Sequence, residues 1–271
     1  MIHTLRGIVL LIAGTMLSVA AAAPEGHLVL AGGGRTPAAV FTRTLELSGG
    51  RKAIVAVLPQ TYPNDSIGDA AVAMWRQLGA HEVLKVSLAD PASAAAALER
   101  ATLIWMPGGF QGLLMRTLAD TPIPGEIRRR FAEGATIGGA SAGAAAMSRT
   151  MIADETTPDG AGGDGRTTGD GLGLWPEAIV SPHFAERRRM NPLMAIVQQH
   201  PDLIGVGIDE GTAAIVSRGE LQVVGSGTVV IIDPRGAGTG QPGWDPTSSV
   251  RRPPVRVLKP GMHFRFALPY P

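Results

Sequence analysis

The chain has 271 residues, with 24 Lys and Arg against 23 Asp and Glu, and no cysteine. So even a balance gives no reason to expect nucleic acid or an anionic membrane surface as a partner. The missing thiols exclude disulfides, cysteine nucleophiles, zinc–cysteine sites and iron–sulfur clusters.

The N-terminus has the three-part layout of a secretory signal peptide. Arg6 precedes a largely apolar run from Gly7 to Val19, and Ala21-Ala22-Ala23 supplies a small-residue cleavage site before Pro24. The apolar run is shorter than the about 20 residues of a membrane span and contains Thr15 and Ser18. Cleavage after Ala23 is therefore expected, giving a secreted or periplasmic protein with no stable membrane association; an uncleaved anchor is the alternative. Residues 1–23 carry one basic and no acidic residue, so the remainder has no formal net charge. Its length suits one domain with a good core. The expected division is an α/β domain over 24–235, with a Gly/Pro-rich excursion and edge strands of the same domain over 236–271.

In chain order, His27 to Ala31 reads as a buried strand entering Gly32-Gly33-Gly34, and Pro37 to Leu47 as a helix closed by Ser48-Gly49-Gly50. Ala53 to Leu58 is a second strand, Asp65 to Leu78 a helix stopped by Gly79, and Val83 to Val86 a third strand. Pro91 to Arg100 is an alanine-rich helix. Leu103 to Met106 is a strand ending in Pro107-Gly108-Gly109, with helices following from Gln111 and Pro124. A short run, Thr136-Ile137, then leads into Gly138-Gly139. Continuous apolar strands alternating with helices argue for an α/β three-layer sandwich around a mostly parallel sheet. Ligands on such sheets bind at the carboxyl ends of the strands, where Gly32–Gly34, Gly108-Gly109 and Ser141 all fall.

Beyond this point Thr156 to Gly173 reads as a long loop of the kind that shields a site. Its Asp159, Asp164 and Asp170 match no calcium-loop template, so no metal is expected. Ala178 to Val180 is a strand delivering His183, Asn191 to His200 a helix, and Ile204 to Ile208 a strand ending at Asp209-Glu210-Gly211. Ala213 to Val216, Leu221 to Val224 and Thr228 to Ile232 read as antiparallel strands. Val255 to Leu258 and His263 to Leu268 read as final edge strands, a small C-terminal antiparallel extension.

Gly139-Ala140-Ser141-Ala142-Gly143 fits the G-x-S-x-G pattern of a nucleophile elbow. A serine on a sharp strand-to-helix turn projects its Oγ from the sheet, and only small neighbours let strand and helix approach that closely. A serine nucleophile needs a base and a group to orient it. Of the downstream histidines, His200 sits at a helix end and His263 in an edge strand, whereas His183 leaves a strand end as Ser141 does. The N–H groups of Ala142 and Gly109 are placed to receive an oxyanion. Arg187-Arg188-Arg189 follows His183, and guanidinium groups bind carboxylates in bidentate fashion. Arg187 and Arg189 lie about 200° apart on an ideal helix, so one points inward unless the turn is irregular. Arg128-Arg129-Arg130 reads as surface. Gly32–Gly34 is no dinucleotide fingerprint, because Pro37 occupies the third glycine position and no acid ends the next strand; no cofactor is expected. The triple glycine reads instead as a close-approach turn lining the cleft. Two other readings stay open. One is an α/β-hydrolase esterase using Ser141 with His263 and Asp233 or Asp245, and the other is a non-catalytic binding protein.

Ordered motifs from about Leu28 to Val216 sharpen this. They are Pro107-Gly108-Gly109-Phe110-Gln111, Gly139 to Ala144, Gly171-Leu172-Gly173-Leu174, His183-Phe184 with Arg187 and Arg189, and Gly207 to Ala213. In these the chain resembles the peptidase S51 family, the cyanophycinase and aspartyl dipeptidase group, with a flavodoxin-like, class I glutamine-amidotransferase-like fold. The resemblance implies Ser141 as nucleophile, His183 as base and a strand-end acid, taken as Glu210, with Asp209 or a loop aspartate as alternatives. It implies Gln111, Arg187 and Arg189 as substrate-binding residues, a peptide or isopeptide substrate, and a homodimer. Cyanophycinases carry Asp-Gln before the histidine, where this chain has Ser181-Pro182, and a third arginine where it has Pro192. A related exported peptidase for another acidic or isopeptide-linked substrate is therefore expected.

Overall fold

The computed structural model describes residues 26–153, 167–236 and 253–266. The expected signal segment, Asp159, Asp164 and Asp245 lie outside these residues. Among the described residues no helix is long and apolar enough to cross a membrane.

The first half alternates strands and helices as their apolar runs require. Strands β1 (Leu28–Ala31), β2 (Ile54–Val57), β3 (Glu82–Lys85), β4 (Leu103–Met106) and β5 (Thr136–Ala140) are joined by helices. These are α1 (Ala38–Leu47), α2 (Ser66–Gln77), α3 (Pro91–Arg100), α4 (Gln111–Leu118) and α5 (Ile123–Ala132). Pro91 opens α3 at a position where its missing N–H costs nothing, and Asp90 caps it by accepting from the Ser93 N–H at 3.1 Å. The five strands pair in parallel in the order β1-β5-β4-β2-β3.

Both faces of this sheet are buried, and the period-two alternation of a strand decides which helices each residue meets. Val55, Val57, Leu103 and Trp105 pack with Leu45 of α1 and with Val72 and Trp75 of α2. There the Trp75 and Trp105 rings meet edge to face at 5.1 Å, with Phe41 5.7 Å from Trp75. Ala56, Ile104 and Met106 face the other way, onto Leu98, Leu114 and Ile127 of α3, α4 and α5. This is the α/β sandwich expected from the sequence.

After β5 come the single-turn helix α6 (Ala142–Ala145), the hairpin β6 (Thr150–Ile152) with β7 (Thr168–Asp170), β8 (Ala178–Pro182) and α7 (Met190–Gln199). Then follow β9 (Ile204–Ile208), β10 (Thr212–Ser217), β11 (Glu220–Gly225), β12 (Val229–Ile232), β13 (Val255–Leu258) and β14 (His263–Arg265). Here the sequence reading needs refinement. Strands β10, β11 and β14 extend the main sheet beyond β1, to an order of β14-β11-β10-β1-β5-β4-β2-β3, with β10 antiparallel to β1. Strands β8 and β9 leave it and pair in parallel in a second sheet, β13-β12-β9-β8. The two C-terminal edge strands therefore close two different sheets. Apolar runs reveal that a segment is buried on both faces, but not which neighbour it takes. The region read as a loop up to Gly173 contributes β7, whose TGD sequence has no strand signature.

The arrangement brings four strand ends together. His183 follows β8, and its backbone N–H donates to the Gly32 carbonyl after β1 at 2.8 Å. The Gly211 N–H, after β9, donates to the Gly33 carbonyl at 3.1 Å. Ser141 follows β5 and donates its N–H to the Ala31 carbonyl at 2.9 Å. The second sheet is thus tied to the end of the first at the point where the nucleophile elbow lies.

Candidate active site

Ser141 sits between β5 and α6 at φ 52° and ψ −111°. This is backbone that a non-glycine residue holds only when its surroundings enforce it. The enforcement is close packing. A Cβ on Gly143 would stand 2.1 Å from the Met106 carbonyl oxygen, so the start of α6 rests directly on the end of β4. The Ser141 carbonyl accepts the N–H groups of Ala144 and Ala145, at 3.0 and 2.9 Å, which fixes the turn from the helix side.

The hydroxyl so presented meets the imidazole. Ser141 Oγ lies 2.7 Å from His183 Nε2, and His183 Nδ1 lies 2.5 Å from Glu210 Oε1. Nδ1–H donating to the carboxylate leaves Nε2 free to accept the serine proton. His183 also has positive φ, at 50°, and its side chain is 11% exposed against 36% for Glu210. Burial pushes the imidazole below its ordinary value of 6.5; the bond to Glu210 pulls upward, and the charges of Arg187 and Arg189 push down again. The neutral, proton-accepting form is therefore the one held at neutral pH.

The triple glycine is the seat of this line. A Cβ on Gly33 would meet His183 Cε1 at 2.5 Å, and one on Gly34 would meet Glu210 Oε2 at 2.2 Å. Both residues have positive φ, 94° and 62°, so glycine is required here by conformation as well as by space. The close-approach reading of Gly32–Gly34 holds.

Of the remaining expected residues, Ala142 adjoins Ser141, and Arg187 and Arg189 lie on the turn after His183. A Cβ on Gly108 would stand 3.7 Å from Ser141 Cβ, which puts the Gly108-Gly109 turn beside the nucleophile. Ala142 opens α6, where a helix leaves its first N–H groups without an intrahelical acceptor. Gln111 opens α4, and its Nε2 donates to the Ile152 carbonyl at 3.0 Å. Residues 184–189 form a non-helical turn: Arg189 is 8% exposed and donates through Nη1 to the Pro182 carbonyl at 2.8 Å, while Arg187 is exposed. The irregular turn removes the 200° constraint of an ideal helix and still buries one arginine alone.

Several expectations are corrected. His263 stands on β14, four strand spacings of about 4.8 Å from β5, with Nδ1 2.6 Å from Glu220 Oε1. Asp233 is occupied by Arg235 at 2.9 and 3.0 Å. Neither forms a line with Ser141, so the esterase arrangement is not present. Asp209 is not the orienting acid, because alternation along the strand end turns its carboxylate the other way. Its Oδ1 accepts from the Ala185 N–H at 3.1 Å, and its Oδ2 from the Thr228 N–H and hydroxyl at 2.9 and 2.7 Å. Asp170 is exposed in the β6–β7 hairpin. Arg130, read as surface, is 17% exposed at its side chain and donates to the Ala101 carbonyl at 2.8 Å.

A model of peptidase family S51 matches residues 28–224. The chain belongs to peptidase family S51. It is 36% identical over 202 residues to a cyanophycinase from Geminocystis herdmanii (strain PCC 6308), covering 72% of this chain and 74% of that one. It is 37% identical over 202 residues to a cyanophycinase from Trichormus variabilis (strain ATCC 29413 / PCC 7937), covering 69% of this chain and 65%, just under two thirds, of that one. The crystal structure of a peptidase from an acI-B1 Actinobacterium matches with a TM-score of 0.61 at 22% identity, over 90% of this chain and 98% of that one. A putative peptidase E protein from Listeria monocytogenes EGD-e matches at 0.55 and 18% identity, over 74% of this chain and 98% of that one. At these identities the two structures speak to the fold. The S51 relatives mark the chain as a serine-type peptidase hydrolase.

Two residues beside the Ser141–His183–Glu210 line have a role that the sequence reading does not assign them. Asp209 joins the turn carrying His183 to the strand end carrying Glu210, and Thr228 supplies two of its three donors. The adjacent acids Asp209-Glu210 were a signal, since neighbours at a strand end face opposite ways. Replacing Asp209 with Ala strips three donors of their acceptor and should lower unfolding free energy by about 1–3 kcal/mol. Glu210→Gln, at a more exposed position, should stay within about 0.5 kcal/mol of wild type. Urea unfolding of the two variants checks the contrast.

Proposed function

We propose that the chain is an exported serine peptidase of the cyanophycinase-like type, hydrolysing amide or isopeptide bonds through an acyl-enzyme on Ser141. The observation that carries this reading is the unbroken contact line from Ser141 Oγ through His183 to Glu210, at 2.7 and 2.5 Å. Ser141 Oγ attacks the substrate carbonyl while His183 Nε2 takes its proton. Glu210 accepts the Nδ1–H and offsets the charge on the imidazolium. The N–H groups of Ala142 and Gly109 receive the oxyanion. His183 hands the proton to the leaving amine, then draws one from the water that releases the acyl group.

Arg187, Arg189 and Gln111 are the proposed binders of the acyl or leaving portion, and the cations favour a substrate carboxylate. Cyanophycin is the polymer named for the two relatives; the Ser181-Pro182 pair and Pro192 favour a different acidic or isopeptide-linked substrate here. A homodimer, and a secreted or periplasmic location after cleavage at Ala23, belong to the same proposal.

Labelling by a fluorophosphonate checks the chemistry. Ser141→Ala should abolish it, and His183→Ala should slow it on the order of 10³-fold, while His263→Ala should leave it unchanged. An effect at His263 and none at His183 contradicts the reading. The pH profile supplies a sign. His183 lies below 6.5, so labelling should fall only on acidification below that value. In Glu210→Gln the upward pull is lost, and the acid limb should move to still lower pH. A limb that moves upward contradicts the assignment of Glu210. For export, the N-terminus of the protein recovered from outside the cytoplasm should be Pro24.

A further inference from the structure

Next to the nucleophile the chain carries an exposed aromatic pair that the hydrolytic machinery does not use. Tyr62, 37% exposed, stacks on the half-buried Phe110 with ring centroids 5.6 Å apart and planes 21° from parallel. Phe110 follows Gly108 by two residues, at most about 7 Å of chain, and Gly108 lies against Ser141. The Phe110 backbone is thus within about 7 Å of chain of the residue that lies against Ser141.

The pair is built rather than incidental. Thr61, fully buried, donates its hydroxyl to the Gly108 carbonyl at 2.8 Å and accepts the Phe110 N–H on its own carbonyl at 2.7 Å. A Cβ on Gly109 would stand 2.2 Å from that same Thr61 carbonyl, so the two loops are in backbone contact. The loop after β2 therefore fixes the turn beside Ser141 and, one residue further, lays Tyr62 on Phe110. A stacked pair of rings that stays partly exposed offers aromatic surface to a ligand side chain.

The surrounding charges select what it takes. Asp65 and Asp69, the acids next along the chain, are both committed to Lys85 at 3.1 and 2.8 Å. On the turn after His183, Arg187 and Arg189 act on the imidazole as positive charges, against the carboxylate of Glu210. A cationic side chain stacked on the pair would have to compete with Lys85 for these two acids.

We propose that Tyr62 and Phe110 form a subsite for a neutral aromatic or large aliphatic side chain next to the scissile bond. The proposal rests on Ser141 being the nucleophile, and its test separates the two. Three fluorophosphonates, carrying a methyl, a benzyl or a guanidinobutyl arm, are compared by their second-order rates of labelling, followed by intact mass. The benzyl reagent should react about tenfold faster than the methyl one, and the guanidinobutyl reagent no faster than the methyl one. Tyr62→Ala and Phe110→Ala should bring the benzyl-to-methyl ratio close to one, and Tyr62→Phe should preserve it. A ratio near one in the wild type, or one that survives both alanine substitutions, overturns the subsite. A guanidinobutyl reagent faster than the benzyl one replaces it with a cation site. Absence of labelling by all three overturns the serine reading, and the subsite with it.

Discussion

The arrangement depends on the His183 imidazole being gripped where four strand ends meet. Its backbone N–H is tied to Gly32, its ring lies against Gly33, Nδ1 faces Glu210 and Nε2 faces Ser141. None of these contacts survives a side chain at the β1 turn, because Cβ atoms at Gly33 and Gly34 would overlap the ring and the carboxylate. The bare backbone of β1 is thus what lets a histidine from one sheet reach a serine from the other. Ser141 and His183 both hold positive φ, a strain of about 1–3 kcal/mol each. The close packing of α6 on β4 and the Asp209 hydrogen bonds hold that strain in place.

Much of this was legible in the residues. The parallel half of the sheet follows from apolar runs of four or five residues separated by helical spacing, and the observed boundaries of α1, α2 and α7 differ from the expected ones by at most one residue at either end. The elbow was legible because its chemistry demands small residues at fixed offsets, and the triple glycine because nothing else tolerates such approach. The partition of later strands into two sheets was not legible. Ala178–Pro182 and Ile204–Ile208 are as fully buried as β1, and hydrophobicity does not say which edge a strand joins. The Asp209-Glu210 pair was half legible: two acids at a strand end promised one orienting carboxylate. Only the fold shows that Asp209 turns away to bind Ala185 and Thr228.

The residues around the triad suggest how an S51 scaffold adjusts its substrate without disturbing its chemistry. Pro182 removes a backbone donor just before His183 and uses its carbonyl to seat Arg189. Arg187 remains exposed on the same turn. Charge near the imidazole therefore comes from one buried and one exposed guanidinium, with different freedom to follow a ligand. Beyond Gly108, which lies against Ser141, Phe110 stacks on Tyr62. The aromatic pair lies on the loops after β2 and β4, apart from those that carry Ser141, His183 and Glu210, whereas the arginines share the turn of His183.

The central claim is a covalent one: the Ser141 hydroxyl takes the acyl group and His183 manages the proton. The most direct measurement is acid quenching during turnover of an activated aspartyl ester, followed by peptide mapping of the acylated protein. The account predicts one added acyl mass on the peptide containing Ser141, formed quickly in wild type and absent from Ser141→Ala. Turnover of that ester with no acyl mass on the Ser141 peptide, or with the acyl group on another residue, would contradict it.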